Sequence, residues 1–122
     1  MLFDFPLNFM ERADVVIVKN LSNENFSPYL LSKDLNLSYS QVYRKIKRST
    51  GQTPSQYIRK IRLEKAYQLL KHSELMISDI ASKVGFKSLS YFSHCFSKYF
   101  KDSPYHLRKK FNKNMAVINY TE

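Results

Sequence analysis

The sequence predicts an all-α chain of about seven helices forming two helix-turn-helix subdomains joined by a long central helix, and three observations carry that prediction. Only 2 Gly and 4 Pro occur in 122 residues, too few turn formers for a strand-and-turn fold. Apolar residues recur at spacings of three and four between Ser, Thr and Asn caps, the period of a helix with one buried face. The second half also repeats the first at an offset of about fifty residues. At 14.5 kDa the chain is one ordinary domain or two small lobes, which excludes a large multi-domain enzyme. A chain this long buries roughly two-thirds of its unfolded surface. The single Cys95 leaves no intrachain disulfide.

Each element has a local reason. Asn8 caps the first helix with Glu11 as the reciprocal partner, and Phe9, Ala13, Val16, Ile17 and Leu21 form its stripe. Ser27 before Pro28 opens a short second helix on Leu30, Leu31 and Leu35, which stops near Asn36. Ser38 and Gln41 box the third helix, where Val42 and Ile46 are apolar among Arg44, Lys45, Lys47 and Arg48, and Gly51 ends it. Thr53, Pro54 and Gln56 repeat the start signal, and no Gly or Pro follows before about Lys71, so the longest helix lies there. Its exposed faces are expected to carry Arg59, Lys60, Arg62 and Lys65. A fifth helix runs from Ile77 to about Val84 and is closed by Gly85. A sixth follows Ser88 to about Phe100, and Ser103-Pro104 begins a seventh. The expected organisation is a linker at 1–7, subdomains at 8–53 and 73–111, a connecting helix at 54–72 and a polar tail at 112–122.

The internal repeat places Pro54 on Pro104, Val42 on Phe92, Ile46 on Phe96 and Ser38 on Ser88. One residue earlier in register, Leu31 falls on Ile80, Leu35 on Val84 and Leu37 on Phe86. Between the paired helices stand Asn36 and Gly85, the two residue types that most readily accept the left-handed conformation a sharp bend requires. Each half therefore reads as helix, tight turn, second helix and a closing third.

Charge narrows the partner. The formal net charge is +10, yet residues 1–37 are net acidic, with Asp4, Glu11, Asp14, Glu24 and Asp34 against Arg12, Lys19 and Lys33. The whole basic excess lies beyond residue 37, which calls for a polyanion, nucleic acid ahead of an anionic membrane. The apolar run Val15–Val18 is far below the roughly 18 residues of a spanning helix, so the expected setting is cytoplasmic, with no membrane partner. No enzyme is expected: His72, His94 and His106 fall in different elements, Cys95 reads as a small buried residue, and no Gly-rich phosphate loop is present. No metal ligand set, catalytic group or cofactor site is expected.

The run Ile77-Ser78-Asp79-Ile80-Ala81, Val84-Gly85-Phe86, Ser90-Tyr91-Phe92, Phe96, Lys98, Pro104 and Arg108 carries a specific set of spacings. Tyr43-Arg44-Lys45-Ile46-Lys47, Thr50-Gly51, Pro54, Tyr57-Ile58-Arg59 and Ile61-Arg62-Leu63 carry another in the first half. Over residues 8–111 the chain resembles the DNA-binding domain of AraC/XylS transcriptional regulators, and more loosely the output domain of hybrid two-component sensor regulators. It departs from the pattern at Lys101, Leu107 and Asn36. The resemblance implies sequence-specific binding of double-stranded DNA by two recognition helices in successive major grooves. It also implies a contact with RNA polymerase, with sensing or dimerisation supplied by a region outside this chain. A sequence-tolerant nucleic-acid-binding helical protein is the alternative.

With Val42 and Ile46 inward, the third helix turns Ser40, Tyr43, Arg44 and Lys47 outward, the first three toward base edges. Arg44 can offer two parallel donors to guanine O6 and N7; a solvated charge is the other reading. Ser38, Lys45, Lys47, Arg48 and Arg59 are the phosphate candidates of this half. On the sixth helix Tyr91, Phe92, Cys95, Phe96 and Tyr99 read mainly as core, leaving Leu89, Ser90, Ser93 and His94 for bases. Lys87, Ser88, Lys98 and the Tyr91 phenol are its phosphate candidates.

Overall fold

The computed structural model describes residues 6–121, with side chains described as far as residue 113. Among the described residues seven helices follow in order: α1 (Phe9–Lys19), α2 (Pro28–Asp34), α3 (Tyr39–Thr50), α4 (Pro54–His72), α5 (Ile77–Lys83), α6 (Leu89–Phe100) and α7 (Pro104–Thr121). No strand occurs among the described residues.

The caps form as the residue types dictate. Asn8 and Glu11 close a reciprocal box on α1, and Ser38 and Gln41 do so on α3. Thr53 Oγ1 accepts from Gln56 N at 3.2 Å, while Thr53 N donates to the Gln56 side chain at 3.0 Å. Each device satisfies amide donors that the first turn of a helix leaves without partners. The start of α5 differs, because its N-cap Met76 offers no side-chain acceptor.

The chain divides into two compact units, Met1–Ile61 and Arg62–Glu122, with the boundary inside α4. In the first unit Ala13, Ile17, Leu31, Leu35, Val42, Ile46 and Ile58 are buried and bring α1, α2, α3 and the start of α4 together. In the second, Leu63, Ala66 and Leu70 of α4 join Ile80, Val84, Phe92 and Phe96. Aromatic side chains dominate that core: Phe92 meets Phe86 at 5.2 Å and Phe96 at 5.6 Å, and Phe96 meets Phe100 at 4.5 Å between ring centroids. Large rings contribute both buried area and edge-to-face attraction.

The repeat read in the sequence is present atom by atom in the two turns. Asn36 has φ 57° and Gly85 φ 83°. Leu37 N donates to Ser32 O at 3.1 Å and Phe86 N to Ala81 O at 2.9 Å, the same closure in each unit. The ends of α3 and α6 also match, with Gly51 at φ 74° and Lys101 at φ 61°.

Four sequence expectations are corrected. Arg62, placed on an exposed face of α4, is only 6% exposed and its Nη1 donates to Val84 O at 2.7 Å. Tyr91 and Tyr99, read with the core of α6, are 51% and 42% exposed. Their positions flank the buried Phe92–Phe96 stripe, so each ring covers its edge rather than its centre: Tyr91 leans on Phe86 at 5.8 Å, and Tyr99 on Phe100 at 4.7 Å. The Tyr99 hydroxyl donates to Glu64 Oε1 at 3.2 Å, and partial burial, then the Glu64 charge, raises its pKa. Finally, the segment expected as a tail from residue 112 continues α7 as far as Thr121, since no Gly or Pro interrupts it. Of the expected linker, residues 1–5 lie outside the described residues, and Pro6 and Leu7 are non-helical before the Asn8 cap.

Candidate nucleic-acid interface

In the first unit, two buried residues orient α3. Val42 and Ile46 are fully enclosed, and at 3.6 residues per turn this puts Ser40, Arg44 and Arg48 on the opposite, exposed side. Arg44 Nε makes a long hydrogen bond of 3.4 Å to Ser40 O, so the guanidinium lies back along the helix toward its N-terminus. Tyr43 is 37% exposed. Its ring stands 6.4 Å from that of Tyr39, an exposed residue that sequence reasoning passed over and that extends the same surface.

The remaining basic side chains of α3 have distinct local roles. Lys47 Nζ donates to Gly51 O at 3.1 Å, capping the carbonyl end of its own helix. Lys45 stands over the Phe9 ring at 5.4 Å, a cation–π contact that draws it toward α1. Arg48 is exposed in the last turn of α3, and Arg59 is exposed in the second turn of α4. Ser38 Oγ accepts from Gln41 N at 3.2 Å, so its hydroxyl is already engaged in the cap.

In the second unit, Phe92, Cys95 and Phe96 bury one side of α6 and leave Ser90, His94 and Lys98 exposed on the other. These three stand in the register of Ser40, Arg44 and Arg48, fifty residues on, so the two helices present the same geometry with different chemistry. Leu89 is 46% exposed in the first turn. Ser93 is half-buried, set back from Ser90 and His94. Lys87 and Ser88 are exposed ahead of the helix, where Ser88 Oγ accepts from Tyr91 N at 3.1 Å.

Each unit thus exposes the first turns of its second helix-turn-helix helix, with polar side chains outward and a sharp turn behind. The family model described as a helix-turn-helix domain matches residues 31–110, which spans both turns. A transcriptional regulator from Chromobacterium violaceum, described as of the AraC-type DNA-binding domain-containing proteins, is similar in structure at a TM-score of 0.76 and 28% identity, covering 82% of this chain and 88% of that one. The chain belongs to the AraC/XylS family.

Further proteins are similar to this AraC/XylS domain. The C-terminal domain of the two-component response regulator yesN from Fusobacterium nucleatum is 31% identical with a TM-score of 0.76, covering 84% of this chain and 99% of that one. "Histidine kinase P4" from Formosa agariphila is 36% identical over 104 residues, which are 85% of this chain and 8% of the relative. The chain spans between 8% and 44% of the length of the first curated relatives it matches. As an AraC/XylS domain it is a DNA-binding domain of the transcriptional-regulator type. No helix among the described residues is long and apolar enough to cross a membrane, and none of their His, Cys, Asp and Glu side chains group in threes to hold a metal.

Proposed function

We propose that this domain reads a specific duplex DNA site by laying the first turns of α3 and α6 in successive major grooves. The observation that carries the reading is the exposed set Ser40, Tyr43 and Arg44 at the start of α3, with its counterpart Leu89, Ser90 and His94 on α6. A major groove accepts one helix, and base edges there carry a distinct donor and acceptor pattern for every pair. Arg44 supplies a bidentate donor for guanine, a contact that discriminates by about 1–3 kcal/mol. The α6 half reads through Ser90, His94 and the apolar Leu89, with Ser93 behind them; the hydroxyls and Leu89 suit thymine-containing steps more than a second arginine would.

Phosphate contacts complete each half. Ser38, Lys45, Lys47, Arg48 and Arg59 serve the first, and Lys87, Ser88, Lys98 and the hydroxyl of the half-exposed Tyr91 serve the second. Because the two reading surfaces differ in chemistry, the DNA site is asymmetric. The response-regulator and histidine-kinase relatives support a place as the output domain of a two-component regulator.

Selection from a random duplex library at stated salt tests the reading. A single enriched site with two blocks of required bases about one helical turn apart is expected. Equal retention of all duplexes would instead make the chain a sequence-tolerant binder.

A further inference from the structure

Arginine is among the residues least often buried, because its guanidinium stays charged and loses its hydration on burial. Arg62 is nevertheless 6% exposed within the second unit, and desolvation lowers its pKa. Such a group persists where hydrogen bonds replace water. Its Nη1 donates to Val84 O at 2.7 Å. Val84 is the C-cap of α5, so this carbonyl is one that the end of a helix leaves without an intrahelical donor. The next residue is Gly85, at φ 83°, where the chain bends. After it comes Phe86, whose ring meets Phe92 at 5.2 Å and Tyr91 at 5.8 Å on α6. The guanidinium therefore ties α4 to the one carbonyl from which the turn into α6 departs.

The first unit holds a looser copy. Arg12 Nη2 donates to Leu35 O, the C-cap of α2, at 3.3 Å, and Asn36 follows at φ 57°. Arg12 is exposed, however, so this bond competes with water. Equivalent turns are thus held from equivalent carbonyls, tightly in one unit and weakly in the other.

We infer that Arg62 is a positioning residue for DNA specificity: it touches no DNA and fixes how α6 is presented by locking the α5–α6 turn. The inference rests on the reading of α6 as a groove-reading helix. Base-edge hydrogen bonds demand a fixed helix placement, whereas attraction to phosphates tolerates a loose one. Removing the clamp therefore lowers discrimination in the α6 half of the site. It leaves the α3 half and the salt dependence as they were. A surface arginine bound to phosphate behaves oppositely: its loss weakens all sequences alike and reduces the salt slope by about 0.9.

The test uses the duplex that the wild-type chain enriches, together with duplexes substituted at each required base, titrated at several salt concentrations with R62M and R62K. Circular dichroism melts report whether each variant is folded. R62M is expected to lose about tenfold or more of the discrimination in the α6 half alone, at an unchanged salt slope. R62K, whose ammonium keeps one donor for Val84 O, is expected to recover part of it. Uniform loss across both halves, a slope reduced by about 0.9, or full discrimination by folded R62M would overturn the inference. If R62M does not fold, R62K carries the same comparison, and failure of both to fold overturns the positioning role in favour of a purely structural one. A wild-type chain that enriches no duplex fails the DNA reading itself, a separate outcome.

Discussion

Lys101 shows how one backbone angle decides a residue's cost. It ends α6 at φ 61°, in the place where Gly51, at φ 74°, ends α3. An L-residue in that conformation costs about 1–2 kcal/mol, which glycine avoids while gaining freedom in the unfolded chain. Lys101→Gly is therefore expected to stabilise the second unit by about 0.5–1 kcal/mol, read as a higher urea midpoint at unchanged slope. Gly51→Ala is expected to destabilise by a similar amount. A Cβ at Gly51 meets nothing within 4 Å, so the cost there comes from the backbone rather than from a clash. On α3, Arg44→Ala is expected to relax preference at one base position, and Lys45→Ala to weaken all duplexes nearly equally, both checked by base-resolved binding. Identical loss on every duplex for Arg44→Ala would reassign it to phosphate. Gly51, Gly85 and Asn36 were legible in the sequence because their conformational tolerance is a property of the residue. Arg62 was not: in the linear sequence it sits among Arg59, Lys60 and Lys65 like any solvated cation, and only the fold brings Val84 O opposite it.

At the scale of elements, the starts of helices were legible and the division of labour on their faces less so. Asn, Ser and Thr caps, first-turn prolines and reciprocal Gln or Glu partners act within a few residues, so α1, α3 and α4 begin where local chemistry says they do. The margins of α6 depend instead on what packs beside it, which is why Tyr91 and Tyr99 cover its core at the rim rather than joining it. The joint between α6 and α7 adds a charge term that propensity does not reveal. Asp102 accepts from His106 Nδ1 at 2.7 Å and from Lys110 Nζ at 3.2 Å. The His106 hydrogen bond is the largest influence holding the Asp102 carboxyl below its ordinary range, with Lys110 and the Ser103 amide adding to it against partial desolvation. A carboxylate whose folded-state pKa is depressed stabilises the fold above its unfolded pKa, and that contribution disappears as pH falls through the folded value. Wild-type and Asp102→Asn melts should therefore differ most near neutral pH and converge in strong acid. A gap that persists unchanged at low pH would show that charge at Asp102 is not its source.

For the molecule as a whole, the sequence disclosed two similar lobes through a register that repeats apolar anchors and turn residues together, a coincidence that local helix signals alone do not produce. On the proposed function each lobe carries a groove-reading helix. Occupying two grooves with one chain makes the second contact intramolecular, and such linkage raises affinity by about 10²–10⁴ when geometry permits simultaneous engagement and not otherwise. The connection is α4, one uninterrupted helix from Pro54 to His72, with Ile58 buried in the first unit and Leu63 in the second. A single alanine inserted between Ile61 and Arg62 would rotate everything after it by about 100° and advance it by about 1.5 Å, while each unit keeps its own buried residues. The insertion is expected to lower affinity for the enriched duplex by about 10²-fold, to leave one of the two blocks of protected bases in a footprint, and to leave helical content near wild type. Unchanged affinity with both blocks still protected would mean that the lobes bind without a fixed connection, and the proposal of one rigidly spaced, two-groove site would then fail even though each lobe still binds DNA.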